Sequence, residues 1–397
     1  MIACVSLALA LGGTSFAVAS ATPVHASVGA VKRSCVVPNV KGRSLSAAKK
    51  ALGRRDCRAG AIRRAFSSTV PRRHVLSQRP RAGAHRPAGA SVRLVVSKGK
   101  RPPPLPSAGT VVASVAIPDA PHGLLSLPGA LWVSAHHGDS IFRVDTSSNK
   151  VVAHVVVAHG DDGQPARLAF GDGTIFADNY GGNAIALVNP VTNTLKSVIH
   201  GPFENCCDPT YGAGSLWVLE VAPGASDADR LVRLAPFGSV QANLQVPVAG
   251  GLTFGAGSVW GSSNGKLFRL DPATNKITAR IATNVPSPLY GAASVWGLTA
   301  SGRELVRIDP ASNTVSASIR LPGPAGVLTV TDSAVWVGDD GPGSHLWKID
   351  PATNQVVGQV KLGPAGETFG DLSAGDDGSV WVSLFESDRV LRVRPTS

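Results

Sequence analysis

A short motif recurs seven times in the last three quarters of the chain: an aliphatic residue, an aromatic residue, then a small or aliphatic residue. Successive aromatic residues lie 44, 41, 43, 36, 40 and 45 positions apart. A period of this length indicates a repeat architecture with room for four short strands in each repeat. The aromatic residues are Trp132, Phe176, Trp217, Trp260, Trp296, Trp336 and Trp381.

A second motif follows the first in most repeats and predicts a tight turn between the third and fourth strands. Its fullest copies are Asp271–Asn275 and Asp350–Asn354, both reading D-P-A-T-N. Pro presets φ, Asp binds nearby backbone N–H groups, and Asn tolerates a left-handed conformation. With 44 Gly, 29 Pro and 16% charged residues, the composition favours short strands joined by turns over a helical solenoid. Seven such repeats predict a seven-bladed β-propeller.

The ends of the repeat region predict how the ring closes. The last repeat stops after Val390–Arg394 and lacks a fourth strand, whereas Val112–Pro118 is similar to the fourth strand at Val315–Pro322. Residues 110–118 are therefore predicted to complete the seventh blade of a propeller domain that spans residues 108–397, which would hide the sheet edges. The repeats resemble the YVTN/YncE-type and virginiamycin-B-lyase-like seven-bladed propellers. This resemblance implies a fold that hosts lyases, scaffolds and ligand binders alike.

The charge divides the chain into two unlike parts. The whole chain carries +12, but residues 32–101 hold 20 Lys and Arg against one acid, Asp56. The chain from Asp119 onward holds 18 basic and 25 acidic residues. A strongly basic module is thus joined to a mildly acidic one, and the basic module predicts a polyanionic partner.

The N-terminal segment narrows the choice of polyanionic partner, because it predicts whether the protein is exported. Ile2–Ala19 is apolar, and Ala19-Ser20-Ala21 and Val24-His25-Ala26 are both typical cleavage sites, so residues 1–26 are predicted to be a secretory signal peptide. The alternative is an uncleaved anchor helix. After cleavage we expect no transmembrane span and a secreted, extracellular or cell-wall-associated protein. Export argues against nucleic acid as the partner.

Residues 34–100 are predicted to form a small α+β domain. Ser44 is a plausible N-cap for a helix over Leu45–Leu52, and strands are expected at Ala61–Phe66, His74–Gln78 and Ser91–Ser97. Cys35 and Cys57 bracket the helix and are predicted to form a disulfide that stabilises a thin core. Residues 101–107 are rich in Pro and predict a stiff linker.

The segments Val37–Gly42, Ser44–Leu52, Ser77–Gly83 and Gly89–Gly99 resemble the PASTA domain, in order and over the whole module. The resemblance implies a helix packed on a small antiparallel sheet and association with peptidoglycan or its precursors. The basicity adds an electrostatic attraction to anionic wall polymers. The alternative is a spacer domain whose arginines merely solvate it. The candidate wall-binding residues are Arg54, Arg55, Arg63, Arg64, Arg72, Arg73, Arg79, Arg81 and Arg86.

Function in the propeller is expected where the repeats differ, in the loops that share one face. His136-His137 with Asp139 is a candidate metal site, but we interpret these residues as exposed polar loop residues. Adjacent Cys206 and Cys207 would form either a vicinal disulfide or a pair of reduced thiols. No H-E-x-x-H motif occurs, and no Ser/His/Asp order of a catalytic triad is evident. The candidate ligand-face residues are His136, His137, Asp139, Asp178, Tyr180, Glu204, Asp208, Asp339, Asp340 and Glu386.

The sequence thus predicts a mainly β protein in which a small α+β PASTA-like domain precedes a seven-bladed β-propeller. We interpret it as a monomeric binding or scaffold protein rather than an enzyme. The first module would bind peptidoglycan or an anionic wall polymer, and the propeller would bind a protein or small molecule without a required cofactor. The alternatives are a secreted lyase or hydrolase that uses a divalent cation in the propeller, and a sensor subunit of a wall-directed enzyme.

Overall fold

A computed structural model describes residues 34–158, 163–201, 208–221, 228–248, 250–340, 344–363 and 366–396. The signal peptide predicted at residues 1–26, Glu204, Cys206 and Cys207 lie outside the described residues. The chain forms two compact units, Met1–Pro104 and Leu105–Ser397.

The first unit packs one helix on a three-stranded sheet. Ser44 caps the helix, because its Oγ accepts the Ala47 N–H at 3.3 Å, and the helix buries Ala48 and Leu52. Its elements are β1 Ser34–Val36, α1 Leu45–Gly53, β2 Cys57–Ala65, β3 Val75–Arg79, β4 His85–Pro87 and β5 Ala90–Ser97.

The sheet of the first unit has the order β2-β5-β3. β3 is antiparallel to β5, but β2 is parallel to it. The expectation of a purely antiparallel sheet was therefore wrong, because the chain reverses direction twice between β2 and β5. The predicted disulfide is confirmed: Cys35 Sγ and Cys57 Sγ lie 2.00 Å apart, and both residues belong to the buried core.

The second unit consists of seven four-stranded antiparallel sheets, and the fold is a seven-bladed β-propeller. The strands before the last blade are, blade by blade: β7 Pro121–Leu127, β8 Ala130–Ala135, β9 Ser140–Asp145, β10 Lys150–Val156; β11 Pro165–Gly171, β12 Thr174–Asn179, β13 Ala184–Asn189, β14 Thr194–His200; β15 Thr210–Gly212, β16 Ser215–Val221, β17 Ala228–Leu234, β18 Val240–Val248; β19 Thr253–Gly255, β20 Ser258–Ser263, β21 Lys266–Asp271, β22 Lys276–Ile281; β23 Leu289–Gly291, β24 Ser294–Leu298, β25 Glu304–Asp309, β26 Thr314–Arg320; β27 Ala325–Val330, β28 Val335–Asp339, β29 His345–Asp350, β30 Gln355–Lys361.

The seventh blade joins the two ends of the propeller. It contains β31 Phe369–Ala374, β32 Val380–Leu384 and β33 Arg389–Pro395, and its fourth strand is β6 Gly109–Ala116. β6 pairs antiparallel with β33, with Val115 opposite Val390. This pairing joins the two ends of the propeller within one blade and closes the ring. The backbone groups at the outer edge of β33 are thereby paired with β6.

The repeated motifs hold neighbouring blades together. All six repeat tryptophans are fully buried. Arg269 lies over Trp260, with 5.2 Å from its guanidinium carbon to the ring centroid. Arg269 Nη1 then donates to Pro310 O at 2.7 Å and to Asn313 Oδ1 at 3.2 Å in the turn of the next blade. The turn therefore both reverses its own strands and accepts the guanidinium of the preceding blade.

The same interaction recurs around the ring. Arg233 Nη1 donates to Pro272 O and Asn275 Oδ1, and Arg307 Nη1 donates to Pro351 O and Asn354 Oδ1. Arg392 of the last blade reaches the first blade in the same way, through Thr146 O and Asn149 Oδ1. We call each such set a Trp–Arg–Asn contact.

Candidate functional site

An open, basic groove of about 1070 Å³ lies on the first unit. Three of the nine candidate wall-binding arginines line it, Arg79, Arg81 and Arg86. Arg93 lines it as well, although the sequence analysis did not single it out. Arg93 stands directly opposite Arg79 across the β3–β5 ladder, so the two side chains share one face of the sheet. The other six candidates are exposed but lie outside the groove: Arg54, Arg55, Arg63, Arg64, Arg72 and Arg73.

Gln78 holds the groove in place. Its side chain is buried, its Oε1 accepts the Val40 N–H at 2.7 Å, and its Nε2 donates to Pro38 O at 2.9 Å. Gly83 N also donates to Val37 O at 2.8 Å. The segment that carries Arg79 and Arg81 is therefore tied to the N-terminal part of the domain.

Each propeller blade places one residue in an equivalent position, within its first strand or two residues before that strand begins. Each residue stands two positions before the one that pairs with the repeat aromatic. All but the first line a single cavity of about 550 Å³. In blade order the residues are Gly123, Arg167, Asp208, Gly251, Ser287, Val327 and Asp371.

Arg167 forms the centre of an ionic cluster in this cavity. Its Nε lies 3.4 Å from Asp208 Oδ1 and its Nη1 lies 3.2 Å from Asp371 Oδ2, so it links blades two, three and seven. Burial disfavours the cation, but the carboxylates of Asp371, Asp208 and Asp178 outweigh that effect and raise the pKa of Arg167. The guanidinium stays charged and half-exposed toward the cavity.

Blade one makes room for this cluster through Gly123. A Cβ at this position would lie 2.1 Å from the carbonyl oxygen of Ala166. Any larger residue would therefore displace the strand that carries Arg167.

Asp178 lies beneath Arg167 and is almost fully buried. Its Oδ1 accepts the backbone N–H groups of Ala166 and Arg167. Burial, and then the nearby charge of Asp208, raises the pKa of Asp178 from 3.8 to about 7. Asp178 therefore exchanges a proton near neutral pH, inside the cavity wall.

The residues equivalent to Asp178 in blades one and seven are serines that join neighbouring first strands. Ser134 Oγ accepts the Gly123 N–H at 2.8 Å and donates to Ala166 O at 2.7 Å. Ser383 Oγ accepts the Asp371 N–H and donates to the carbonyl oxygen of the residue before Gly123, each at 2.7 Å. In blade two, the carboxyl group of Asp178 thus takes the place of the serine hydroxyl that links neighbouring first strands in blades one and seven.

Three histidines and one phenylalanine cluster beside the ionic group. The ring centroids of His122 and His136 lie 5.2 Å apart, those of His136 and His137 lie 5.7 Å apart, and Phe385 contacts all three rings. Burial, and then the charge of Arg167, lowers the pKa of His122 to about 4. Burial and His137 lower the pKa of His136. His122 is therefore neutral at pH 7, and its Nδ1–H donates to Ala166 O at 3.3 Å.

The remaining ligand-face candidates do not form one site. Asp340 is exposed and lines the cavity, whereas Asp339 is buried with its Oδ2 3.6 Å from His345 Nδ1. Asp139 Oδ1 accepts the hydroxyl of Ser140, and Tyr180 and Glu386 are exposed.

Arg167 and Asp371 were not predicted from the sequence. An alignment of the blades on the repeat aromatics would have found both, because Arg167 is the only cation, and Asp208 and Asp371 are the only acids, among the seven equivalent positions.

In the described ranges, no three side chains of His, Cys, Asp and Glu converge as metal ligands would. His136, His137 and Asp139 therefore do not fit a metal ion in this arrangement.

Residues 36–98 are a PASTA domain: they match the family model of that name. PASTA domains are associated with binding peptidoglycan-type ligands. This domain and its disulfide fit an extracellular or cell-wall location. Within the part of the chain that is described, no helix has the length and apolarity needed to cross a membrane.

The propeller is similar to solved structures. A structure titled "Streptogramin B lyase structure" matches with a TM-score of 0.61 and 17% identity, covering 72% of this chain and 97% of that chain. The WD40 β-propeller domain of Doa1 matches with a TM-score of 0.58 and 10% identity, covering 72% of this chain and 96% of that chain. At these identities the likeness shows the fold. A search of curated proteins found no significant match.

Proposed function

We propose that this protein is an exported, cell-wall-associated binding protein. Its PASTA domain tethers it to peptidoglycan or an anionic wall polymer, and its propeller binds a ligand at the cavity around Arg167. The observation that supports the tether is the PASTA domain itself, whose groove gathers four arginines in a module with a single acidic residue.

The tether is tested by sedimentation with purified cell walls that retain their anionic polymers. At roughly 0.15 M salt, where charges are screened beyond about 8 Å, we expect the mature chain to pellet with the walls. At about 1 M salt, where the screening length falls to about 3 Å, we expect most of it to be released. Protein that stays in the supernatant at the lower salt concentration would rule out the tether.

The cavity of the propeller favours a ligand with both a polar and an apolar part. Arg167, Asp208 and Asp371 make an ionic wall from blades two, three and seven. Leu252 and Leu289 contribute apolar surface from blades four and five. Such a site orients a ligand through a few polar contacts while apolar contacts supply the affinity.

A second candidate is a secreted lyase that uses a divalent cation. It is favoured by the likeness of fold to a streptogramin B lyase and by Asp178 and His122, whose pKa values are strongly shifted beside one cavity. It is tested by incubating the protein with a streptogramin B and Mg²⁺ and following the substrate by mass spectrometry. Turnover that a chelator abolishes would favour the lyase. An unchanged substrate, together with protein that contains no stoichiometric metal, would favour the binding protein.

A further inference from the structure

The chemistry of the PASTA groove indicates which wall component it contacts. Arg79, Arg81, Arg86 and Arg93 line it, together with His85. The only acidic residue of the domain, Asp56, is not among the lining residues. The groove therefore offers several cations to a ligand and no carboxylate that would compete for them.

The four arginines are carried by anchored backbone rather than by a free loop. Arg79 and Arg93 face each other across adjacent strands, and Arg86 pairs with Cys35 in the β1–β4 ladder. Arg81 lies in the segment between β3 and β4, which is tied to Val37 at both Gly83 and Ala84. The backbone positions that carry the four cations are thus fixed by strand pairing and hydrogen bonds.

The groove lacks the large aromatic side chains on which sugar rings stack. Among its described lining residues none is Phe, Tyr or Trp, and the one aromatic ring is the imidazole of His85. Phe66, the only Phe, Tyr or Trp between residues 34 and 104, is exposed outside the groove. Recognition in the groove therefore rests mainly on charge and hydrogen bonds.

A guanidinium presents a planar pair of N–H donors that matches two oxygens of a phosphate. Phosphodiesters repeated along a chain would meet successive arginines in an open groove. We propose that the groove binds a phosphodiester-linked cell-wall polymer, with Arg79, Arg81, Arg86 and Arg93 contacting successive phosphates. This assignment rests on the proposed wall-tethering function and names the wall component.

The chain offers a matched pair of variants for the test. The groove variant is R79Q/R81Q/R86Q/R93Q, and the control variant is R54Q/R55Q/R63Q/R64Q, which removes the same charge from exposed residues outside the groove. Both are made in the full mature chain, and unchanged thermal unfolding confirms that each folds. The probes are fluorescent poly(glycerol phosphate), cell wall stripped of phosphate polymers, and single-stranded RNA of equal charge.

For poly(glycerol phosphate) we expect the groove variant to lose at least tenfold in affinity and the control variant less than threefold. The slope of log K against log salt should fall by roughly 3 in the groove variant, if each lost phosphate contact contributes about 0.7 as it does for single-stranded nucleic acids. The control variant should keep most of the slope. RNA is expected to bind the unsubstituted chain more weakly than poly(glycerol phosphate).

The other outcomes overturn distinct statements. Equal loss in both variants would show diffuse charge attraction and refute the groove assignment. If both the unsubstituted chain and the groove variant bind wall that has been stripped of phosphate polymers, the proposed wall tether remains supported. That result would refute the phosphodiester polymer as the ligand of the groove. Tighter binding to RNA would refute a wall polymer as the source of the phosphates. No binding to either wall preparation would refute the proposed function itself.

Discussion

Asp178→Asn is expected to stabilise the propeller most above neutral pH, progressively less as the pH falls, and to have little effect below about pH 4. Asp178 is buried beneath Arg167, and its pKa is raised from 3.8 to about 7, first by burial and then by Asp208. Between these two values the folded protein holds a proton that the unfolded chain has released. The free energy of unfolding therefore falls as pH rises from about 4 to about 7, and the loss is complete above pH 7.

The size of the effect follows from the two pKa values. A rise from 3.8 to about 7 corresponds to about 4 kcal/mol at alkaline pH, since each pKa unit is worth about 1.4 kcal/mol. For a unit of this size that equals a shift of roughly 8 °C in Tm. The asparagine can still accept the N–H groups of Ala166 and Arg167 through its Oδ1, so the substitution removes the ionisation and preserves both hydrogen bonds.

The assay is thermal unfolding of both proteins at several pH values between about 3.5 and about 8.5, a range that spans both the ordinary and the raised pKa. The Tm of the unsubstituted protein should fall relative to that of the variant as pH rises, and the two should converge near about pH 4. Asp340→Asn is the matched control, because Asp340 lines the same cavity but is exposed and loses little solvation on folding. Parallel pH profiles for Asp178→Asn and the unsubstituted protein would refute the reasoning.

Two further tests concern contacts inside each unit: one between neighbouring propeller blades and one within the PASTA domain. Arg269→Ala removes two hydrogen bonds to the next blade, including that to Asn313, and should lower the free energy of unfolding of the propeller by about 2 kcal/mol in urea. Arg280→Ala, at an exposed position, should change it by less than about 0.5 kcal/mol, and equal effects would contradict the Trp–Arg–Asn contact. Replacing Cys35 and Cys57 by Ser should lower the stability of the PASTA domain by about 3 kcal/mol, and unfolding that is insensitive to both this change and a reductant would refute the role of the disulfide.

The propeller fold could be predicted because its packing residues repeat. A buried tryptophan such as Trp260 lies at the same place in six blades, and Phe176 takes that place in the seventh. The spacing of these aromatic residues therefore predicts the number of blades. The D-P-A-T-N turn was predicted from its own backbone requirements. Its second role, accepting Arg269 from the preceding blade, could not be predicted from one repeat alone because it joins two of them.

The ionic cluster could not be predicted in the same way. Arg167 and Asp371 come from blades two and seven, which become close only after the ring has closed and only because Gly123 between them has no side chain. The mixed sheet of the PASTA domain escaped prediction for a related reason. The pairing of β2 with β5 is set by the path of the chain, and the alternation of apolar residues in a strand does not report it.

The second blade departs from the repeat both in packing and in chemistry. It has Phe176 in place of tryptophan, and Leu187 stands where five other blades have an arginine, four of which make the Trp–Arg–Asn contact. The turn of the third blade, which would accept that arginine, reads Ala235-Pro236-Phe237-Gly238-Ser239 and has lost its asparagine. The three changes occur together, as expected if the contact is a single unit.

The interface between blades two and three is held instead by apolar packing, in which Phe176 stacks on Tyr211 with ring centroids 5.7 Å apart. These same blades supply Arg167 and Asp208 to the cavity. The ionic cluster therefore lies at the blades between which the Trp–Arg–Asn contact is absent. Positions that pack neighbouring blades repeat in most of the ring, and blades two and three depart from them. This departure coincides with the blades that supply Arg167 and Asp208 to the cavity, so the sequence divergence and the ionic cluster lie in the same part of the ring.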